Sequence, residues 1–209
     1  MSKEEEVRIA LVSSPEAFQK VMSVRRQVFV EEQHIDASSE FDENDSTFSE
    51  QLNSSLYRDD VQQTNSMMRY YLAELVPINH DGHDDGGGHD DESNLSRSSS
   101  KIGGTCRVRK TGPNAWKMER FAVLKDLRGF GIGRKLLRFV LLDLSTRNQE
   151  QQQQESKPPK IYLHAQLSAV PFYQKCIFQE ERLKGRFLIV GEPFEEAFIP
   201  HCKMEWQWE

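Results

Sequence analysis

At 209 residues, with 37% hydrophobic against 29% charged residues, the chain is long enough for one core of ordinary size but polar enough that part of it should lie outside any core. A net charge of -6 excludes a general nucleic-acid binder, because neutralising phosphates requires a basic face. Cys106, Cys176 and Cys202 form no CxxC pair, no apolar run reaches the ~20 residues of a membrane span, and the start Met1 to Glu6 is too acidic for a leader, so a protein of the reducing cytoplasm or nucleus is expected, with neither disulfide framework nor zinc site.

Val7 to Val12 is apolar enough for a first strand. Ser13-Ser14-Pro15-Glu16 then supplies a cap, a first-turn proline and an acid for the dipole of a helix. Phe18, Val21, Met22, Val28 and Phe29 carry that helix to about Val30 or Glu31. From Asp36 to Ser66 the chain is acidic, then Ser/Gln/Asn-rich, with few apolar residues to offset the entropy of ordering, and is read mostly as loop. Tyr70 to Val76 is a strand ended by Pro77. Between Asn79 and Ser100, His80, His83 and His89 lie among aspartates around Gly86-Gly87-Gly88; three consecutive glycines give ligands no fixed geometry, so a solvated insertion is expected there and no metal site.

Ile102 to Val108 and Trp116 to Leu124, joined by Thr111-Gly112-Pro113-Asn114, read as an antiparallel hairpin. Lys125 to Gly133 then leads into a helix whose buried stripe is Ile132, Leu136, Leu137, Val140, Leu141 and Leu144. The helix is expected to dissolve from Thr146 into a glutamine tract closed by Pro158-Pro159. Ile161 to Ala165 is a buried-strand pattern, Ser168 a cap for a helix over Ala169 to Cys176, and Phe187 to Val190 and His201 to Trp206 two last strands around a bend. The chain is thus expected to form one domain of α+β or α/β class, with low-complexity insertions at about 43–68, 79–100 and 146–159.

A strand entering a glycine-bearing turn and then a helix offers free backbone N–H groups and the positive end of a dipole to an anion. Gly129, Gly131 and Gly133 allow close approach, and Arg128, Arg134 and Lys135 add cations, so a diphosphate is the natural ligand. A Walker loop would need Gly-Lys-Ser/Thr, whereas Arg134-Lys135 follows Gly133; the spacing also differs from a Rossmann GxGxxG.

Arg128-x-x-Gly131-x-Gly133 resembles the pyrophosphate turn of GNAT N-acetyltransferases, and three further segments resemble the ElaA-like branch: Val24 to Gln33, Leu163-His164-Ala165-Gln166 with Phe172-Tyr173, and Gly191 to His201. The resemblance implies a mixed, largely antiparallel sheet with splayed central strands, often at a β-bulge, and helices on both faces. It implies acetyl-CoA as co-substrate without a metal. Pantetheine would lie along Phe121, Ala122 and Val123 and the pyrophosphate on Arg128, Gly129, Phe130, Gly131, Ile132, Gly133 and Arg134, with Gln166, Phe172 and Tyr173 completing the cofactor side.

It further implies transfer of an acetyl group to a primary amine of a small molecule or protein by direct attack. Glu119, expected on the same strand face as Phe121, is the candidate base unless it is a structural ion pair. Tyr173 is the candidate acid unless it is a core aromatic. His201 is a second candidate base, and His164, Gln166 and His201 are expected to line the acceptor pocket unless they are hydrogen-bonded structural residues. Ile177 stands where the family has a glycine before Phe178, so the helix end after Tyr173 must differ or be strained. Acidic residues at 40 to 45 would steer cationic acceptors. A homodimer is the common assembly of such domains, and neither nucleic acid nor membrane is expected as a partner. The alternative is a non-catalytic acyl-CoA-binding or protein-interaction module on the same fold.

Overall fold

The computed structural model describes residues 5–54, 67–78, 100–151 and 157–209, without the side chains of 147–151. The His/Asp tract at 80–91 and the stretch 55–66 lie outside the described residues. Among the described residues, eight strands form one sheet: β1 Glu5–Leu11, β2 Met68–Pro77, β3 Lys101–Gly112, β4 Ala115–Val123, β5 Lys160–Gln166, β6 Gly185–Ile189, β7 Phe194–Glu196 and β8 Ile199–Trp208. Their order is β1-β2-β3-β4-β5-β8-β6, with β7 also on β8. Every neighbouring pair of these strands is antiparallel except β4 with β5, so a crossover joins the two halves of the sheet at its centre.

That crossover is the helix α4, Ile132–Gln151, which lays the expected stripe of Ile132, Leu136, Leu137, Val140, Leu141 and Leu144 on one face of the sheet, all buried. The other face is covered by α1, Pro15–Arg25, which begins at Ser14, whose hydroxyl accepts from the Ala17 N–H, and continues as a π-helical stretch Arg26–Glu32. Alternation of β2 serves both layers: Tyr71, Ala73 and Leu75 face α4, whereas Tyr70 and Leu72 pack with Phe18 and Val21 of α1.

Two helices replace the loop expected after Asp36. α2, Ala37–Glu40, starts on the Asp36 carboxylate, and α3, Glu43–Asn53, starts on a reciprocal capping box between Asp42 and Asp45. The expected insertion at 43–68 thus opens as a packed helix, whose Phe48 and Leu52 complete the cluster around Phe18 and Tyr70. α4 likewise runs to Gln151, past its expected end at Thr146. α5 is short, Val170–Lys175, and Ser168 lies inside the 3-10 turn Leu167–Ala169 before it instead of capping it. The bend expected before His201 holds a strand, β7.

Candidate active site

β4 and β5 pair only from Ala115–Lys160 to Met118–Leu163. Beyond Met118 the strands separate, leaving the β5-facing edge of Glu119 to Val123 without a strand partner among the described residues. The cause is a β-bulge: Arg107 is opposite Glu119 and Thr105 opposite Ala122, so Cys106 faces two residues, Arg120 and Phe121. Arg120 takes φ +50, the left-handed region that a side chain normally avoids. Its guanidinium ties the distortion to α2 through the Ser39 and Glu40 carbonyls and the Glu40 carboxylate.

The extra residue also reverses which way the following side chains point. Phe121 packs toward Phe172 and Tyr173 on the α4 face, whereas Glu119 points with Arg107 toward α3. The expectation that Glu119 and Phe121 share a face is therefore corrected, because strict alternation does not hold across a bulge. Both nevertheless line the cleft of about 840 Å³ that opens between the diverging strands.

One end of the cleft is the turn from Arg128 to Gly133. Gly129 and Gly131 adopt φ +86 and +79, with open space where a Cβ would stand. Gly133 is different: an added Cβ would come within 3.2 Å of the Phe172 ring, so its role is close packing. The side chains of the two arginines are used to hold the turn. Arg128 donates to the Val123 carbonyl and makes a double contact with Glu32, both at 2.7 Å, which leaves the backbone of the turn as its anion-binding feature. Arg134 donates to the carbonyls of Lys175 and Ile177 and lies over the Phe178 ring. Here is the answer to the missing glycine after α5: Cys176 closes the helix at φ −83, Ile177 avoids positive φ, and Arg134 satisfies the exposed carbonyls.

Glu119 sits in a buried charge network, the ion-pair alternative of the sequence, with Arg107, Arg109 and Lys117 as partners. Arg107 reaches its Oε2 at 2.9 Å, while Arg109 and Lys117 reach Oε1 at 3.0 and 3.3 Å. Burial alone would raise its pKa, but these three cations hold it down at about 2. Arg107 continues to Asp42 and Asp45, and Arg25 joins Asp45 to Glu40. Arg107 and Asp42 hold each other's charged forms, with Asp42 again at about 2 despite the cost of desolvation. Glu40, Asp42 and Asp45 are thus neutralised by Arg25, Arg107 and Arg120, which corrects the idea that they steer cations into the cleft.

Tyr173 is 6% exposed, lines the cleft, and is fixed among Phe121, Phe172 and Phe187 at ring distances of 5.0 to 5.9 Å. Burial, followed by the neighbouring Cys106 and Cys176, pushes its hydroxyl pKa well up, so it stays protonated. It is both core aromatic and cleft wall.

The far end of the cleft contains two imidazoles. The His201 Nδ1 lies 2.7 Å from the Ile199 carbonyl, which requires Nδ1–H and leaves Nε2 with its lone pair. His164, the first residue of β5 beyond its pairing with β4, places Nδ1 2.7 Å from Glu196 Oε2. Phe194 is wedged between the two rings, and Gln166 donates to Gln33 across the cleft. Glu196 was hidden in what read as a bend; its only sequence signal is a two-residue turn between short apolar runs. Among the described residues no group of three or more His, Cys, Asp or Glu could hold a metal ion.

Residues 92–180 match the model of the acetyltransferase (GNAT) domain. The chain is 26% identical over 198 residues to the uncharacterized protein YyaT of Bacillus subtilis, covering 95% of this chain and 94% of that one. Its fold is shared with a Lactobacillus plantarum protein described as an N-acetyltransferase (TM-score 0.61, 20% identity, 95% and 96% of the chains). It is likewise shared with Escherichia coli ElaA (TM-score 0.57, 19% identity, 98% and 100%). The match takes in the bulged strand, the glycine turn and α4, where the geometry places the cleft, so this part of the chain is similar to a GNAT acetyltransferase domain.

Proposed function

We propose that the protein transfers an acetyl group from acetyl-CoA to a primary amine by direct attack in a ternary complex. The observation that carries this reading is the opening of β4 from β5: an unpaired strand edge over Glu119 to Val123 runs toward an anion-binding turn at Gly129 to Gly133. An extended pantetheine arm with amides fits an unpaired edge as an added strand, and the pyrophosphate fits the free N–H groups at the start of α4. Phe121, Phe172 and Tyr173 form the apolar wall along that arm.

The acceptor amine enters from the side of His164, Gln166, Glu196 and His201 and meets the thioester near Tyr173, whose protonated hydroxyl supplies the departing sulfur with a proton. Glu119 is a weak proton acceptor because both its oxygens already receive cationic donors. Its work in this reading is to hold Arg107, and through it α3, against the bulge. His201 presents Nε2 to the amine as a hydrogen-bond acceptor that helps orient it.

Calorimetric titration with acetyl-CoA tests the reading, using the native protein and a Gly131→Glu/Gly133→Glu variant whose folding is checked by circular dichroism. Saturable binding by the native protein that is abolished in the folded variant is expected. Absence of binding by the native protein contradicts the proposal.

A further inference from the structure

We infer that His164 is the general base of the cleft, with Glu196 as the carboxylate that orients it; the inference rests on the acetyl-transfer reading. Three nucleophile-activating groups face the acceptor end, and their surroundings separate them. Glu119 is held at about 2 by Arg107, Arg109 and Lys117. His201 donates its Nδ1–H to a neutral carbonyl, which fixes the ring without a carboxylate partner. His164 alone has a carboxylate on Nδ1, at 2.7 Å, so the proton resides there and Nε2 is the free acceptor.

Its position suits the task. β5 carries His164 immediately past the last β4 pairing, where the cleft opens, and the side chain is 27% exposed, enough for an incoming amine. Glu196 is placed by an unusual turn: Ala197 and Phe198 both have positive φ, at 52 and 60, between Glu196 and Ile199 of the β7/β8 hairpin. Neither residue favours that conformation, and backbone strain beside a cleft residue is consistent with a geometry kept for its use. Burial would raise the Glu196 pKa, but its hydrogen bond to His164, with Lys117 and His201 nearby, keeps it lowered and therefore ionised. The charged groups around the dyad are Lys117 and Glu119 on β4, and His201 and Lys203 on β8.

In the reaction, His164 Nε2 takes one proton from the ammonium form of the acceptor and later releases it to solvent. The amine lone pair forms the C–N bond and the thioester C–S bond breaks. The second proton shed by nitrogen reaches sulfur by way of the Tyr173 hydroxyl, so ammonium and acetyl-CoA become amide, free CoA and one proton.

The test measures CoA release with spermidine, glucosamine and a lysine-bearing dipeptide as acceptors, in native protein and in His164→Gln, His164→Ala, Glu196→Gln and Glu196→Asp. His164→Gln is expected to lower kcat by about 10²–10³-fold while the acetyl-CoA Kd stays unchanged, and added imidazole to restore part of the rate of His164→Ala. Glu196→Gln is expected to lower kcat less than His164→Gln does, and Glu196→Asp, which keeps a carboxylate on Nδ1, to retain most of the native rate. Undiminished kcat in folded His164→Gln, or equal rates in Glu196→Gln and Glu196→Asp, overturns the dyad and leaves acetyl transfer standing. Acetyl-CoA binding without turnover of any of the three amines by the native protein overturns both.

Discussion

Glu119 and Asp42 make the charge network testable at single residues. Both carboxyls are held at about 2, below their ordinary range, so they favour the folded state fully above the unfolded pKa near 4 and lose that contribution as pH falls toward 2. Urea unfolding midpoints should therefore hold steady above about pH 5 and fall steeply between about pH 4 and 2, and a flat profile there contradicts the network. Removing one member should strand its partners: Glu119→Ala, at a side chain 8% exposed, is expected to destabilise by about 3 kcal/mol in the same assay at neutral pH, because Arg107 keeps its burial and loses an anion. The residue types of this network were visible in the sequence, but their pairing was not. Arg25, Glu40, Asp45 and Arg107 are separated by up to 82 positions, and only the docking of α1, α2 and α3 against β3 brings them together. Glu119 itself was legible as a candidate, while its orientation was not, since a one-residue bulge leaves no mark in the hydrophobic pattern.

At the scale of elements, the β7/β8 hairpin departs from what its turn demands. Two consecutive residues at positive φ call for Asn-Gly or Asp-Gly, whereas this chain has Ala197-Phe198, with Phe198 94% exposed. Ala197→Asn with Phe198→Gly should relieve the strain and raise stability by about 1–3 kcal/mol, read as a higher urea midpoint; an unchanged or lower midpoint contradicts a strained turn. At the end of α5 the opposite device operates. Arg134→Ala should unsatisfy the Lys175 and Ile177 carbonyls, loosen Tyr173 and reduce kcat more than acetyl-CoA affinity, which steady-state kinetics beside calorimetry would resolve. The stripe of α4 and the glycine turn were legible because period and turn chemistry are local. α3 was missed for the same reason: with Phe48 and Leu52 its only apolar anchors, it depends on an Asp42/Asp45 capping box and on partners far away in the chain.

Across the whole molecule, the sheet is continuous except where function is proposed. Strong pairing joins β1 to β4 on one side and β5 to β8 on the other, and the short β4/β5 contact from Ala115 to Met118 is the seam. The sequence predicts the split through its resemblance to a family, and the structure supplies the cause in the Arg120 bulge. The central claim is that acetyl-CoA fills this seam as an extra strand. Amide hydrogen exchange read by mass spectrometry, with and without saturating acetyl-CoA, tests it most directly. Added protection is expected in peptides covering Phe121 to Val123 and Gly129 to Lys135, with β1 and β2 unchanged; saturable binding with protection confined elsewhere means that acetyl-CoA does not fill the seam.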